Sequence, residues 1–303
     1  MQNKKKRMSV ALRRRGFVFV CIVPTFVLFS IFVLYPMFSS FAMSFTDWSG
    51  MGKDYHFIGL ENYMRMFRDR TVGIALKNNL TLLVFVPIVT ITLSLSFASM
   101  LSGRRIREKK LYRILFFFPN VIAISVTSIL WSFIYHPSLG IINGFLKAVG
   151  AGALVHTWLG ESDTVVFAIG ITMVWQAVGY YMILFIAAME GVPGELYEAA
   201  ELEGAGEVQK FVKITLPLIR NVVNVAVIFN IIAVFNGSFT YTKIMTNGGP
   251  DNKSMVLSLY MYDQAFGNGN FGYAMAVGVV ILAITLFLSL CNNRLSGKNE
   301  ITY

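Results

Sequence analysis

Along the chain, apolar side chains gather into six long runs, at 17–45, 78–101, 114–135, 165–189, 222–241 and 271–290. A helix rises about 1.5 Å per residue, so about 20 residues cross about 30 Å of hydrocarbon. Each run reaches that length, and none holds an Asp, Glu, Lys or Arg. The pattern predicts an all-α membrane protein with six transmembrane helices over 17–295, a basic tail at 1–16 and a short tail at 296–303.

Composition points to lipid as the main solvent. Hydrophobic residues make up 55% of the 303, charged ones 14%, and mean hydropathy is +0.62. So few charges cannot solvate a globule of this apolar content, which excludes most soluble enzyme folds. The 26 basic residues outnumber the 16 acidic ones, for a net charge of +10. A nucleic-acid patch and membrane flanks would distribute such an excess differently. In a six-pass weave, 18 of the 26 fall on one side: seven between Lys4 and Arg15, six between Arg104 and Arg113, then Lys210, Lys213, Arg220, Arg294 and Lys298. The positive-inside rule makes that side the cytoplasm. Both termini are therefore expected to be cytoplasmic, in a multi-pass protein of the cell membrane, with no nucleic acid as partner. The first run is too long for the core of a cleaved leader, about 7 to 15 residues, and reads as a span. Cys21 and Cys291 provide neither a disulfide framework nor a metal cluster.

Three outer connections, at 46–77, 136–164 and 242–270, have room for structure. In the first, Leu60, Tyr63, Met64 and Phe67 recur at helical spacing, which predicts a short interfacial helix. The second is rich in glycine and carries Trp158. The cytoplasmic connection at 190–217 reverses the charge pattern: Glu190, Glu195, Glu198, Glu201, Glu203 and Glu207 are six of the sixteen acids. Anionic lipid would repel such a loop, whereas a protein partner could accept it. It reads as two short helices. Pro193 opens the first, Gly204 and Gly206 allow a tight reversal, and Val208, Phe211 and Val212 give the second an apolar stripe able to enter a groove.

Glu198, Ala199, Ala200, three residues, Gly204, nine residues, Ile214, one residue, Leu216 and Pro217 resemble the EAA loop of permease subunits in binding-protein-dependent ABC importers. Weaker likenesses cover most of the chain: residues 59–63, Trp175 with Gln176 and Gly179, residues 247–250, and residues 271–273. Together they are similar to the sugar-importer branch, in the first of its two permease types. One departure is Glu203, where the family usually places Asp before the glycine. The resemblance implies that the loop seats coupling helices on a separate ATPase. The residues involved would be Glu198, Ala199, Ala200, Glu203, Gly204, Ala205, Phe211, Ile214, Leu216 and Pro217. It also implies a heterodimer with a second homologous permease subunit, an ATPase subunit dimer inside, a solute-binding protein outside, and a sugar or oligosaccharide as cargo.

The energy source agrees with that division of labour. Cation-coupled transport uses ionisable side chains within the hydrocarbon, and the runs hold none. No G-x-x-x-x-G-K-[ST] loop is present to cradle nucleotide phosphates. The chain is therefore expected to be no enzyme and to hold no cofactor, with ATP and Mg bound by the partner. For the substrate pathway, Trp175, Gln176, Tyr180, Asn230, Phe235 and Asn236 combine amides and rings of the kind that bind sugar hydroxyls and faces. Asn221, Asn224 and Asn236 share a wedge of about 120° on a helical wheel, with Asn230 opposite. The same amides would serve equally to bond neighbouring helices. Two rival readings remain at this stage: one is the same architecture carrying a polyamine or phosphate ester, the other a passive channel or membrane sensor.

Overall fold

The computed structural model describes residues 19–52, 54–102 and 108–296. The tail at 1–16, the first two residues of the first run, Lys53, the basic residues Arg104, Arg105 and Arg107, and 297–303 lie outside the described residues. Among the described residues the main helices are, in order, α1 (Phe19–Met43), α2 (Glu61–Arg68), α3 (Arg70–Ser102), α4 (Lys109–Val121), α5 (Ile124–Ile134), α6 (Ile141–Ala148), α7 (Val165–Glu190), α8 (Gly194–Leu202), α9 (Glu207–Lys210), α10 (Arg220–Met245), α11 (Leu257–Tyr262) and α12 (Phe271–Ser296). Among the described residues the only extended pairing is an isolated bridge between Thr46 and Phe57. By length and composition α1, α3, α7 and α10 can each cross a membrane.

The third apolar run is not one helix. It is α4 and α5, which meet at 101°. Pro119 lacks the amide that would continue the α4 ladder, and Ile122 and Ala123 then turn extended, with ψ of 136° and 141°. In lipid the carbonyl released by such a break needs a partner from within the protein. Gln176 of α7 supplies it, donating from Nε2 to the Ile122 carbonyl at 2.6 Å, while its Oε1 accepts from the Tyr241 hydroxyl of α10. One turn further along α7, Gly179 meets the backbone of α4: a Cβ there would sit 1.8 Å from the Phe116 carbonyl oxygen. Prolines also account for two π-helical turns. Pro36 follows the one at Ser30–Leu34 and Pro217 the one at Phe211–Thr215; in both, the carbonyl four residues before the ring lies inside the widened turn.

The chain forms two compact units. The larger, Phe67–Tyr262 with Ile281–Tyr303, is built on α3, α7 and α10. Ile91, Ala98 and Leu101 of α3 pack with Tyr181, Met182, Phe185, Ile186 and Met189 of α7 and with Ile219 and Ala226 at the start of α10. Close approach is local: Ser94 Oγ donates to the Val178 carbonyl at 2.8 Å, and Gly170 faces Phe85 and Leu82. At the other end of α3, Asn78 donates to the carbonyls of Lys253 and Met255, and Asn79 accepts from the Leu257 amide, which fixes the connection into α11. The glycine-rich connection at 136–164 is ordered by buried Asn143, bonded to the Pro137 and His156 carbonyls and to the Trp158 indole. There the Thr157 amide, followed by the His156 ring, holds the exposed Glu161 carboxyl below its usual range.

The smaller unit comprises Met1–Met66 and Asp263–Val280. It joins two of the short sequence likenesses. Asn62 donates to the Ser44 and Thr46 carbonyls at 2.9 Å each, and Tyr63 bonds Ser44, so residues 59–63 clamp the chain leaving α1. Gly272 donates to the Trp48 carbonyl, and any Cβ on it would lie 2.1 Å from the Thr46 oxygen. Phe271 packs at a tilt against Trp48, with ring centroids 5.6 Å apart, and the Arg65 guanidinium lies over the Tyr273 ring at 4.5 Å. Leu60, Met64 and Phe67 are exposed on or beside α2, whereas Tyr63, the fourth member of that expected stripe, bonds Ser44.

Two stability outcomes follow from the break. Gly179→Ala is expected to lose about 1–3 kcal/mol by forcing α4 away from α7, seen as a lower melting midpoint in detergent; an unchanged midpoint would contradict the contact. Gln176→Leu should cost about 1–3 kcal/mol per orphaned group, and adding Tyr241→Phe should recover part of that loss by removing one orphan. Strictly additive losses in the double variant would count against the shared bond.

Candidate functional site

The acidic connection folds into a helical hairpin. Pro193 caps α8, with Glu195 in its first turn. At the far end, the Gly204 amide bonds the Glu201 carbonyl at 3.0 Å and the Ala205 amide bonds the Ala200 carbonyl at 2.9 Å, the paired pattern that closes a helix through a left-handed residue. Gly204 is that residue, with φ +79°, and nothing lies near where its Cβ would be. Glycine is needed here for conformation and not for space. Gly206 then caps α9, which lasts one turn before the π-helical turn at Phe211–Thr215 and the short segment Leu216–Leu218.

The hairpin presents a compact exposed tip. Glu198, Ala199, Glu203 and Gly204 are exposed, with Ala200 and Ala205 half-buried behind them. Leu202 and Val208 flank the turn with 91% and 77% of their surfaces open, an unusual position for two such apolar residues. The expected stripe of Val208, Phe211 and Val212 is divided. Phe211 packs against the core of its own chain, while Val208 and Val212 remain outside, because the widened turn rotates Phe211 inward. Ile214 and Leu216 are half-buried and Pro217 is exposed. The base of the hairpin is firmly held. Tyr197 bonds Thr215 at 2.9 Å, Phe211 and Val192 pack on the α3–α7–α10 cluster, and Ile219 belongs to it. At the end of α7, Glu190 pairs with Arg113 of α4 at 2.6 Å.

The residues singled out for a pathway sit in different surroundings. Trp175 meets Trp131 edge-on at 5.6 Å, and Trp131 in turn packs on Tyr135. Both ends of the Gln176 amide are used within the chain, at the helix break and on Tyr241. Tyr180 is exposed and packs edge-on against Tyr181. Phe235 is buried. The two polar faces of α10 are real: Asn230 is buried, whereas Asn221 and Asn236 are exposed and Asn224 is half-buried. The Asn230 carbonyl has no hydrogen-bond partner among the described residues, nor do the Thr127 hydroxyl and the Trp131 indole one turn apart on α5. Sequence reading passes over Thr127 and Trp131 because they lie in the run that breaks. The pairing of Trp131 with Tyr135 at i, i+4 was the available signal.

Comparison with known proteins places this geometry. The diacetylchitobiose uptake system permease protein NgcF of Streptomyces coelicolor is 39% identical over 98% of this chain and 88% of its own length. The probable ABC transporter permease protein YurN of Bacillus subtilis is 37% identical over 93% of this chain and 97% of its own. In fold, the chain matches a subunit in the crystal structure of a bacterial ABC transporter involved in the import of the acidic polysaccharide alginate, with a TM-score of 0.83, 23% identity, and coverage of 98% of this chain and 100% of that one. The family model for the binding-protein-dependent transport system inner membrane component matches residues 3–298, and the protein with the α8–α9 hairpin described above belongs to that family.

Proposed function

We propose that this chain is the membrane subunit of an importer for a sugar or oligosaccharide, driven by a separate ATPase docked on the α8–α9 hairpin. The observation that carries the reading is mechanical. The exposed tip is joined through Phe211 and Ile219 to the cluster shared by α3, α7 and α10, so a push on the tip displaces three spans together. Leu202 and Val208 provide apolar grip, and Glu198 and Glu203 provide charge for the partner to recognise.

In this reading α4 and α5 together make the third of six passes and α12 the sixth, with both termini in the cytoplasm. ATP and Mg belong to a pair of ATPase subunits. A second, homologous permease completes the pathway, and a soluble binding protein delivers cargo from outside. The chain itself carries out no chemical reaction. The EAA spacing supports the energy source, and the diacetylchitobiose permease likeness supports a saccharide cargo.

Glu198→Lys and Gly204→Pro are expected to insert normally and to abolish ATP-dependent uptake in membrane vesicles. The first reverses a docking charge, and the second cannot adopt φ +79°. Uptake at the unmodified rate by both would overturn the coupling role. Reporter fusions at Gly204 and at the C-terminus should behave as cytoplasmic and one at Gly152 as external; an inverted pair would overturn the orientation.

A further inference from the structure

The acids of the hairpin are not equivalent. Glu190 is occupied by Arg113. Glu201 of α8 and Glu207 of α9 both reach one ammonium, that of Lys210, at 2.8 Å each. The lysine side chain is only 7% exposed, whereas the two glutamates are 63% and 88% exposed. Among the described residues, no ion pair holds Glu195, Glu198 or Glu203, and all three are exposed.

We propose that Lys210 is a positioning residue for coupling: from a buried site it ties α8 to α9 across the turn and withdraws Glu201 and Glu207 from the acidic face, leaving Glu195, Glu198 and Glu203 as the charges the ATPase meets. This rests on the coupling reading above.

A buried ammonium is stable only when its charge is matched, and two carboxylates, one from α8 and one from α9, match it here. An exposed pair would add little, but this pair has its lysine end enclosed. The bond to Glu201, then that to Glu207, raises the lysine pKa above its ordinary value, so the tie stays charged throughout the physiological range. Gly204 makes the reversal possible, and the glycines around it leave the angle between α8 and α9 free. Lys210 removes that freedom at the C-terminal end of α9, while the Tyr197–Thr215 bond does so further down. A partner that seats the tip can then turn its own movement into displacement of the base, instead of flexing the hairpin.

The experiment uses the assembled importer in proteoliposomes, with uptake and ATP hydrolysis measured together. Lys210→Met keeps length and packing, and is expected to leave the ATPase subunits bound while lowering uptake per ATP by about tenfold, the scale of one lost charged hydrogen bond. Lys210→Arg should restore most of it. Should Lys210→Met fail to assemble, Glu201→Gln combined with Glu207→Gln removes the two carboxylates that pair with that ammonium, at exposed positions, and should produce the same loss. Normal uptake per ATP in Lys210→Met, or in the double glutamine variant, alongside loss in Glu198→Lys, would overturn the role of Lys210 and leave docking on the hairpin intact. A loss that Lys210→Arg does not reverse would also overturn it, by tracing the defect to packing. Normal uptake in Glu198→Lys and Lys210→Met alike would overturn both readings.

Discussion

The contact on which everything else rests is the seating of Phe211 and Ile219 in the cluster formed by Ile91, Ala98 and Leu101 of α3, five residues of α7, and Ala226 of α10. Protein interiors are close-packed and resist compression, so a displaced side chain carries its neighbours with it. A loop tethered only by its ends would dissipate a push from outside. Here the hairpin shares its base with the spans, and α7 leads directly into it through Val192. None of the six apolar runs holds an ionised group that could couple movement to a cation, and in the proposed mechanism work enters through the hairpin instead.

In lipid no backbone group can be left without a partner. Gln176 shows how the protein meets that demand. Its amide closes the carbonyl freed at the α4–α5 break and binds Tyr241 at the same time, so one side chain relates three helices. Small residues let those helices approach: Gly179 against α4, and Gly170 and Ser94 at the α3–α7 contact. Packing and hydrogen bonds of this kind, and not hydrophobic burial alone, hold helices together in lipid. Thr127 Oγ1, Trp131 Nε1 and Asn230 Oδ1 are atoms that this network leaves without a hydrogen-bond partner among the described residues.

Much of this was legible in the chain, for reasons that differ by element. The long helices follow from apolar length alone, and α7 begins at Val165, where the fourth run does. The hairpin was legible because its reversal demands a residue tolerant of positive φ at one position, and Gly204 stands there at φ +79°. The α4–α5 break was not. Apolar character continues from 114 to 135, and Pro119 alone does not make a right-angled turn. The deciding partner, Gln176, lies 54 residues away from Ile122. Gln176, a candidate for sugar binding, has both ends of its amide engaged inside the chain, by partners 54 and 65 residues away that the sequence does not place beside it. Lys210 counted only as one positive charge on the cytoplasmic side, because its burial depends on how the hairpin closes. The short likenesses at 59–63 and 271–273 gain a physical meaning only when folded, as the two halves of a clamp at the end of α1.

The most direct test of the central claim places a single reactive cysteine at the tip, as Leu202→Cys, and cross-links intact membranes with and without ATP. A covalent product with a nucleotide-hydrolysing subunit is expected, in a yield that changes when ATP is added. A product that never contains such a subunit, under either condition, would contradict it.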